Sequence, residues 1–209
     1  MKVEIWSDVM CPFCYIGKRK FEAALEEFDG ADKVEVEWKS FQLNPALQTD
    51  PSKNTLQHLA ESKGWSMAQT RETIQHVLQM AEGVGLHYDF DKAVVANSFD
   101  AHRLIQFAKK RNKGDAAEER LFKAYFTEGK NTADHKVLLQ LGEEIGLKHE
   151  EISAMLKSND FAEEVHKDIT EAQAVGVRGV PFFVIDRKFA VSGAQDSKVF
   201  LNALTKAGE

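Results

Sequence analysis

Cys11 and Cys14 are the only thiols in the 209-residue chain, and Pro12 and Phe13 stand between them. Two sulfurs at that spacing can form a redox dithiol, half of a metal site, or a pair of buried apolar side chains. A thiol attacks a disulfide only as the thiolate, and an ordinary cysteine titrates at about 8.5, so one that reacts at neutral pH must sit where its anion is stabilised. A helix N-terminus does this through its unpaired backbone N–H groups and its dipole. Pro12 suits a first-turn position, because the N–H it lacks has no partner there. Cys11 then stands at the terminus as the attacking thiol. Cys14, one turn further in on the same side, can reach the Cys11 sulfur to close a disulfide and is the resolving thiol.

The metal reading needs two more soft or imidazole ligands. No third cysteine exists, and His58, His76, His87, His102, His135, His149 and His166 include no close pair at ligand spacing. No metal site is therefore expected. The reading of both cysteines as core residues must explain a proline between them and a strand before them. Other polar candidates are weaker. Asn97 or Ser98 reads as the N-cap of a helix. His102 on that helix is either a proton shuttle or a hydrogen-bonded or solvent-facing side chain. Asp8 reads as a capping or turn residue, since a carboxylate too close to Cys11 would oppose its ionisation.

The elements that must hold these residues follow from apolar periodicity. Val3 and Ile5 alternate with polar neighbours, as do Val34, Val36 and Trp38 within Lys33 to Leu43, and both segments read as strands. Between them Ile16 to Phe28 carries helix-spaced Phe21, Ala24, Leu25 and Phe28, stopped by Asp29-Gly30. The order is strand, cysteine motif, helix, strand. From about Asn44 to Ala174 the chain reads as a helical block with hardly any strand-like alternation. Helices are expected over 66–84, 98–110, around Leu121 to Phe126, and over 134–145, 150–156 and 161–175. After Gly179, Val180 to Ile185 reads as a strand opened by Pro181, Asp186-Arg187 as a turn, and Lys188 to Ser192 as a second strand. A last helix from about Gln195 to Lys206 is expected to bury Val199, Phe200, Ala203 and Leu204. The simplest architecture is one α/β domain built from residues 1–45 and 175–209, with a helical domain, 46–174, inserted in it.

Composition narrows the class further. With 43% hydrophobic and 29% charged residues and a net charge of -6, the chain can build a full core without a disulfide staple and lacks the basic stripes of a nucleic-acid or membrane-surface binder. The basic cluster Lys109 to Lys113 reads as a solvated helix end. Met1 to Asp8 holds no signal-peptide core and no run reaches membrane-spanning length, so a cytoplasmic protein is expected. In a reducing cytosol such a pair is catalytic or metal-binding rather than a structural bridge.

A later Pro181 completes a pattern. Alone it reads as trans, because only about 5–6% of X-Pro bonds are cis in folded proteins. Together with the cysteine motif and the helical block, the segments SDVMCPFCYIGK (7–18), NSFDAHRL (97–104), AYFTEGKN (124–131) and GVRGVPFFVID (176–186), followed by VSGAQ (191–195), resemble the DsbA family of thioredoxin-fold oxidoreductases, and more narrowly its FrnE-like branch. The resemblance spans nearly the whole chain. It implies a DsbA-type thioredoxin fold with the helical insert over the active-site face, and a cis Pro181 opposite Cys11. It also implies that the Val180 backbone pairs with an extended substrate. Pro12 and Phe13 support the site as one control on the potential of the dithiol, and they do not set the direction of electron flow.

The resulting expectation is a thiol-disulfide oxidoreductase acting on protein or small-molecule thiols and disulfides, with no bound cofactor and with glutathione as a plausible exchange partner. No nucleic-acid or membrane partner is expected, and the sequence sets no oligomeric state. The main rival is a glutathione-dependent isomerase or kappa-class transferase. In those relatives a serine commonly occupies the Cys11 position and Gly-Ser-Asp-Arg follows the last strand; this chain has Gly193-Ala194-Gln195-Asp196. A third class is a non-catalytic binding module whose activity would survive loss of both thiols.

Overall fold

A computed structural model describes residues 1–209. The chain enters as strand β1 (Lys2–Ser7), runs into helix α1 (Pro12–Glu26) and, after a 3-10 turn at Ala31–Lys33, returns as β2 (Glu35–Ser40). β2 lies parallel to β1, with Ile5 beside Trp38 and Ser7 beside Ser40. The middle of the chain follows as β3 (Asp50–Asn54), α2 (Thr55–Lys63), α3 (Met67–Glu82), β4 (Val94–Val95), α4 (Phe99–Lys109), α5 (Gly114–Phe126), α6 (His135–Glu144), α7 (His149–Lys157) and α8 (Ala162–Ala174). The C-terminal segment gives β5 (Phe182–Ile185), β6 (Phe189–Ser192) and α9 (Ser197–Gly208). β5 pairs antiparallel with β1 and β6 antiparallel with β5, so the main sheet has the order β2-β1-β5-β6.

Strand alternation distributes side chains to the two faces of this sheet. Val3, Ile5, Phe183 and Ile185 belong to a cluster of 40 buried apolar residues that includes Phe21 of α1, Phe200 of α9 and, further on, Leu104, Leu121, Phe122, Leu138 and Ile152. The Phe183 ring lies 5.5 Å from that of Phe21 and 4.6 Å from that of Phe200. Trp6 and Val184 turn the other way, onto Ala172 of α8 and Val177. There the Trp6 indole N–H donates to the Asp168 carbonyl at 2.9 Å, which satisfies the one polar atom of a fully buried side chain.

Local chemistry fixes the element ends. Ser66 and Gln69 form a reciprocal capping box at the start of α3, and Asp134 and Asp196 cap α6 and α9 with their side chains. The β5–β6 hairpin turns on Asp186 and Arg187, both at positive φ as a two-residue turn of the I′ type requires. The Asp186 carboxylate accepts from the Lys2 N–H at 2.6 Å, and Arg187 binds Glu4 and Glu171. Tertiary bonds thus hold a turn that glycine or asparagine would adopt more readily.

Three sequence expectations are corrected. The helical block contains a two-stranded antiparallel sheet, β3 with β4; DPSKN has no apolar alternation and β4 is only two residues, so pairing rather than pattern defines them. Val199 is 42% exposed, while Phe200 and Leu204 carry the buried face of α9. The basic cluster at the end of α4 is engaged in tertiary bonds: Lys109 donates to the Trp38 carbonyl at 2.7 Å, Arg111 to Glu151 at 2.6 Å and Lys113 to the Ile145 carbonyl at 2.7 Å. No helix is long and apolar enough to cross a membrane.

Candidate active site

The dithiol motif begins where β1 ends. The chain turns after Ser7, with the Cys11 N–H donating to the Asp8 carbonyl at 2.9 Å and the Cys14 N–H to the Cys11 carbonyl at 3.0 Å. Cys11 has extended backbone angles (φ -92, ψ 111) and is the N-cap of α1, with Pro12 in the first turn. Its side chain caps no backbone N–H, so its sulfur lies at a helix terminus whose donors remain available to an anion. Both cysteines are free thiols. They are 3% and 1% exposed, whereas Phe13 between them is 39% exposed. The motif therefore presents one aromatic ring outward and keeps both sulfurs almost dry.

The C-terminal segment closes the site from the opposite side. The Cys11 thiol donates to the Val180 carbonyl across 3.5 Å, and the Val180–Pro181 peptide is cis. Gly17 lies one turn below the motif. A Cβ built there would approach Pro181 Cγ to 3.0 Å and the Phe183 ring to 3.5 Å, so α1 reaches Pro181 only because this position has no side chain.

The residues between β2 and α8 supply the remaining walls. The Tyr88 hydroxyl donates to the Pro12 carbonyl at 2.8 Å, and its ring stacks on Phe126 at 4.7 Å and on Tyr15 at 6.1 Å. Burial, followed by the nearby Cys11, Tyr15 and Cys14, pushes the Tyr88 phenol well up and keeps it a donor at neutral pH. Tyr15 in turn donates to Glu119 of α5 at 2.6 Å, and Arg19 bonds the same carboxylate at 2.9 Å.

Beneath Cys14 lies a buried polar group of four residues. Asp8 is fully buried; its carboxylate accepts from the Leu43 N–H at 2.7 Å and from the Met10 N–H at 3.4 Å, and lies 3.3 Å from His102 Nε2. Burial alone would lower His102, but Asp8, Glu118 and the Phe41 backbone together raise it. Glu118 of α5 is also buried, and the Ser7 hydroxyl donates to its Oε1 at 2.6 Å. Burial pushes Glu118 up to about 7, against the opposing pull of His102 and Ser7. Cys14 is raised well above the ordinary thiol range, first by burial and then by its neighbour Cys11, while the Asp8 backbone and the Ser7 hydroxyl favour its thiolate.

Asn97 caps α4 by accepting from the Phe99 N–H at 2.9 Å, and its amide donates to the Leu47 carbonyl at 2.9 Å; Ser98 makes no capping bond. Asp8 is the turn residue expected from the sequence, and His102 is hydrogen-bonded, buried and paired with it. No three His, Cys, Asp or Glu side chains converge as metal ligands would. Ser7, Gly17, Tyr88 and Glu118 escaped the sequence reading. Of these, Glu118 carried a signal: it stands at helical spacing with Leu121, Phe122 and Tyr125 on the buried face of α5, where a lone carboxylate has no packing reason to be. Tyr88 lies outside any regular element and carried none.

Comparison with known proteins places this geometry. Residues 2–205 match the DSBA-like thioredoxin domain family. A probable DsbA oxidoreductase from Streptomyces coelicolor superposes with a TM-score of 0.95 at 38% identity, over 100% of this chain and 90% of that one. An uncharacterized protein, YwbO, from Bacillus subtilis is 29% identical over 97% of this chain and 95% of its own. The cytosolic disulfide reductase DsbM from Pseudomonas aeruginosa, in its structure with GSH, shares the fold at a TM-score of 0.66 and 20% identity, over 99% of this chain and 95% of that one. A four-stranded sheet that ends in two cysteines at a helix start, with a proline loop across from them, belongs to this group by both sequence and shape. The chain is a member of the DSBA-like thioredoxin domain family, a family of thiol-disulfide oxidoreductases.

Proposed function

We propose that the protein exchanges disulfides with protein or small-molecule thiols through Cys11 and Cys14. The observation that carries this reading is the asymmetry of the pair: Cys11 sits at the N-cap of α1 with its sulfur 3.5 Å from the Val180 carbonyl, while Cys14 is buried one turn behind it. The Cys11 thiolate attacks one sulfur of a substrate disulfide, an S–S bond forms between them, and the other substrate sulfur leaves as a thiolate that takes up a proton. Cys14 then attacks the Cys11 sulfur and releases the second substrate thiolate. Two electrons pass to the substrate and a Cys11–Cys14 disulfide remains; the reverse sequence oxidises a substrate dithiol.

Pro181 and Val180 face Cys11 across the cleft, and Val180 offers its backbone to an extended substrate as one further strand. Pro12 and Phe13 shape the motif, with Phe13 as the exposed apolar contact. Residues 46–174 act as the insert that covers this face. Glutathione is the small-thiol partner we favour, in line with the DsbM structure with GSH, and the cytoplasm is the compartment in which such an exchange with glutathione would run. A glutathione-dependent isomerase fits less well. Asp196 is spent as the N-cap of α9, Gln195 donates to the Ser192 carbonyl at 2.9 Å, and the Ala194 carbonyl accepts from Lys20 at 3.0 Å, so the loop after β6 is already engaged.

Alkylation and mass spectrometry across a series of reduced-to-oxidised glutathione ratios test the reading. The native chain should lose and regain two thiols together, and Cys14→Ser should accumulate a glutathione adduct on Cys11. Two thiols that stay free at every ratio would sink it.

A further inference from the structure

Ionisation changes what Cys11 can bond to. As a thiol it donates to the Val180 carbonyl across 3.5 Å; as a thiolate it has no proton to give, and that carbonyl oxygen repels it. The anion must then be met by an N–H. Cys11 is the N-cap of α1, with extended backbone angles, and a side chain in that position reaches the N–H groups two and three residues further on. Pro12, between, has none, and the Cys14 N–H already donates to the Cys11 carbonyl at 3.0 Å. That leaves Phe13, whose N–H has no partner within the protein.

The Phe13 N–H belongs to the same peptide unit as the Pro12 carbonyl, and that carbonyl accepts from the Tyr88 hydroxyl at 2.8 Å. A donor on the oxygen of an amide polarises the whole unit and makes the N–H on its far side a stronger donor in turn. Tyr88 is held in place to do this. Its ring stacks on Phe126 at 4.7 Å and on Tyr15 at 6.1 Å, with interplanar angles of 29° and 22°, and burial keeps the phenol protonated, so its single proton stays on the Pro12 oxygen. We propose that Tyr88 is a positioning residue for Cys11: by donating to the Pro12 carbonyl it strengthens the Phe13 N–H that receives the thiolate. This rests on the reading of Cys11 as the attacking thiol. The effect falls on the charged form alone, because the neutral thiol makes no use of that N–H. The titratable groups around the pair are Cys14, Tyr15 and Arg19 on α1, Asp8 with its partner His102 behind the turn, and Glu119 of α5 bonded to Tyr15 and Arg19; Tyr88→Phe leaves each of them in place.

The test uses the full reduced chain. Iodoacetamide alkylation of Cys11, followed by mass spectrometry from about pH 5 to about pH 10, reports its thiolate population. A charge-assisted bond strengthened by about 10–30% holds about two to four times as much thiolate. In Tyr88→Phe, Cys11 should therefore react about two- to fourfold more slowly than in the native chain at the acid end of the range, and at the native rate once both are fully ionised. The N–H itself is read by NMR of nitrogen-15-labelled protein. The Phe13 amide proton should move downfield as Cys11 ionises in the native chain, lie further upfield at every pH in Tyr88→Phe, and show no such step in Cys11→Ser. A hydroxyl that only braces the motif would change the rate by the same factor at every pH. Such a constant ratio, equal rates throughout, or a Phe13 amide that does not sense Cys11 would each overturn the proposal. Mixing with oxidised glutathione keeps the two readings apart: a Cys11 adduct in the native chain without the pH-dependent gap removes the role of Tyr88 alone, whereas no adduct at any pH removes the attacking thiol and both readings with it.

Discussion

Replacing Glu118 by glutamine should make the protein more stable, and increasingly so as pH rises. The side chain is buried, and its carboxyl is raised from 4.5 to about 7, so the folded chain holds the proton more tightly than the unfolded chain does. Its stabilising contribution is therefore complete below pH 4.5 and is lost as pH rises through about 7. At about 1.4 kcal/mol for each tenfold change in proton affinity, the ionised form costs the folded state about 3 kcal/mol at pH 8 but less than about 1 kcal/mol at pH 5. Glutamine fills the same volume and can still accept from Ser7, yet has no charge to bury. Urea unfolding of the reduced native and Glu118→Gln proteins at the two pH values should thus show the stability difference shifting by about 2.5 kcal/mol in favour of the variant between pH 5 and pH 8. At pH 8 this corresponds to a rise of about 5–10 °C in Tm for a chain of this size. A difference that stays constant across pH, or that shifts in favour of the native chain, would refute the assignment of Glu118 as a carboxyl raised by burial.

Gly17→Ala should destabilise the fold by about 1–3 kcal/mol by urea unfolding, because the new methyl would stand 3.0 Å from the Pro181 ring and neither partner is on a flexible side chain; an unchanged midpoint would show that α1 and the proline loop can move apart freely. Tyr88→Phe keeps the ring stack and removes only the bond to the Pro12 carbonyl, so it should cost about 1 kcal/mol in the same assay; a loss above about 3 kcal/mol would mean that the hydroxyl does more than hold the motif.

The cysteine pair, its helix-terminal setting and the strands at both ends of the chain were legible because each is a local signal. Proline in the first turn, alternation in Val3 and Ile5, and a continuous apolar run after Pro181 can all be read within a few residues. The β3–β4 pair was not legible, since Asp50 to Asn54 has neither alternation nor β-branched residues and becomes a strand only when Val94 and Val95 arrive. The shell around the dithiol was hidden for the same reason. Ser7 reads as the polar end of a strand until Glu118, 111 residues away, accepts its proton. Tyr88 reads as one more aromatic until its hydroxyl meets Pro12, 76 residues earlier. Val199 shows the converse error: an apolar residue at nearly the right helical spacing, left exposed because the α9 face that meets the sheet is filled by Phe200 and Leu204.

These long-range contacts share one origin. Tyr88, His102 and Glu118 all come from the segment between β2 and α8, and each touches a residue of the stretch from Ser7 to Cys14: Pro12, Asp8 and Ser7 respectively. The strands and α1 place two sulfurs at a helix start, and their own buried charges, Glu4 and Lys18, are paired elsewhere, with Arg187 and with Glu119 respectively. A segment that did no more than cover the cleft would present apolar side chains here, as it does at Phe122 and Phe126. It presents instead an imidazole held by Asp8 and a carboxyl whose burial disfavours its ionised form. Perturbed ionisable groups cluster at functional sites, and these two contact Asp8 and Ser7, the residues that lead from β1 into the cysteine motif. The middle of the chain thus sets the charge environment at the start of the motif as well as its walls, and the pH dependence of stability in Glu118→Gln measures that contribution.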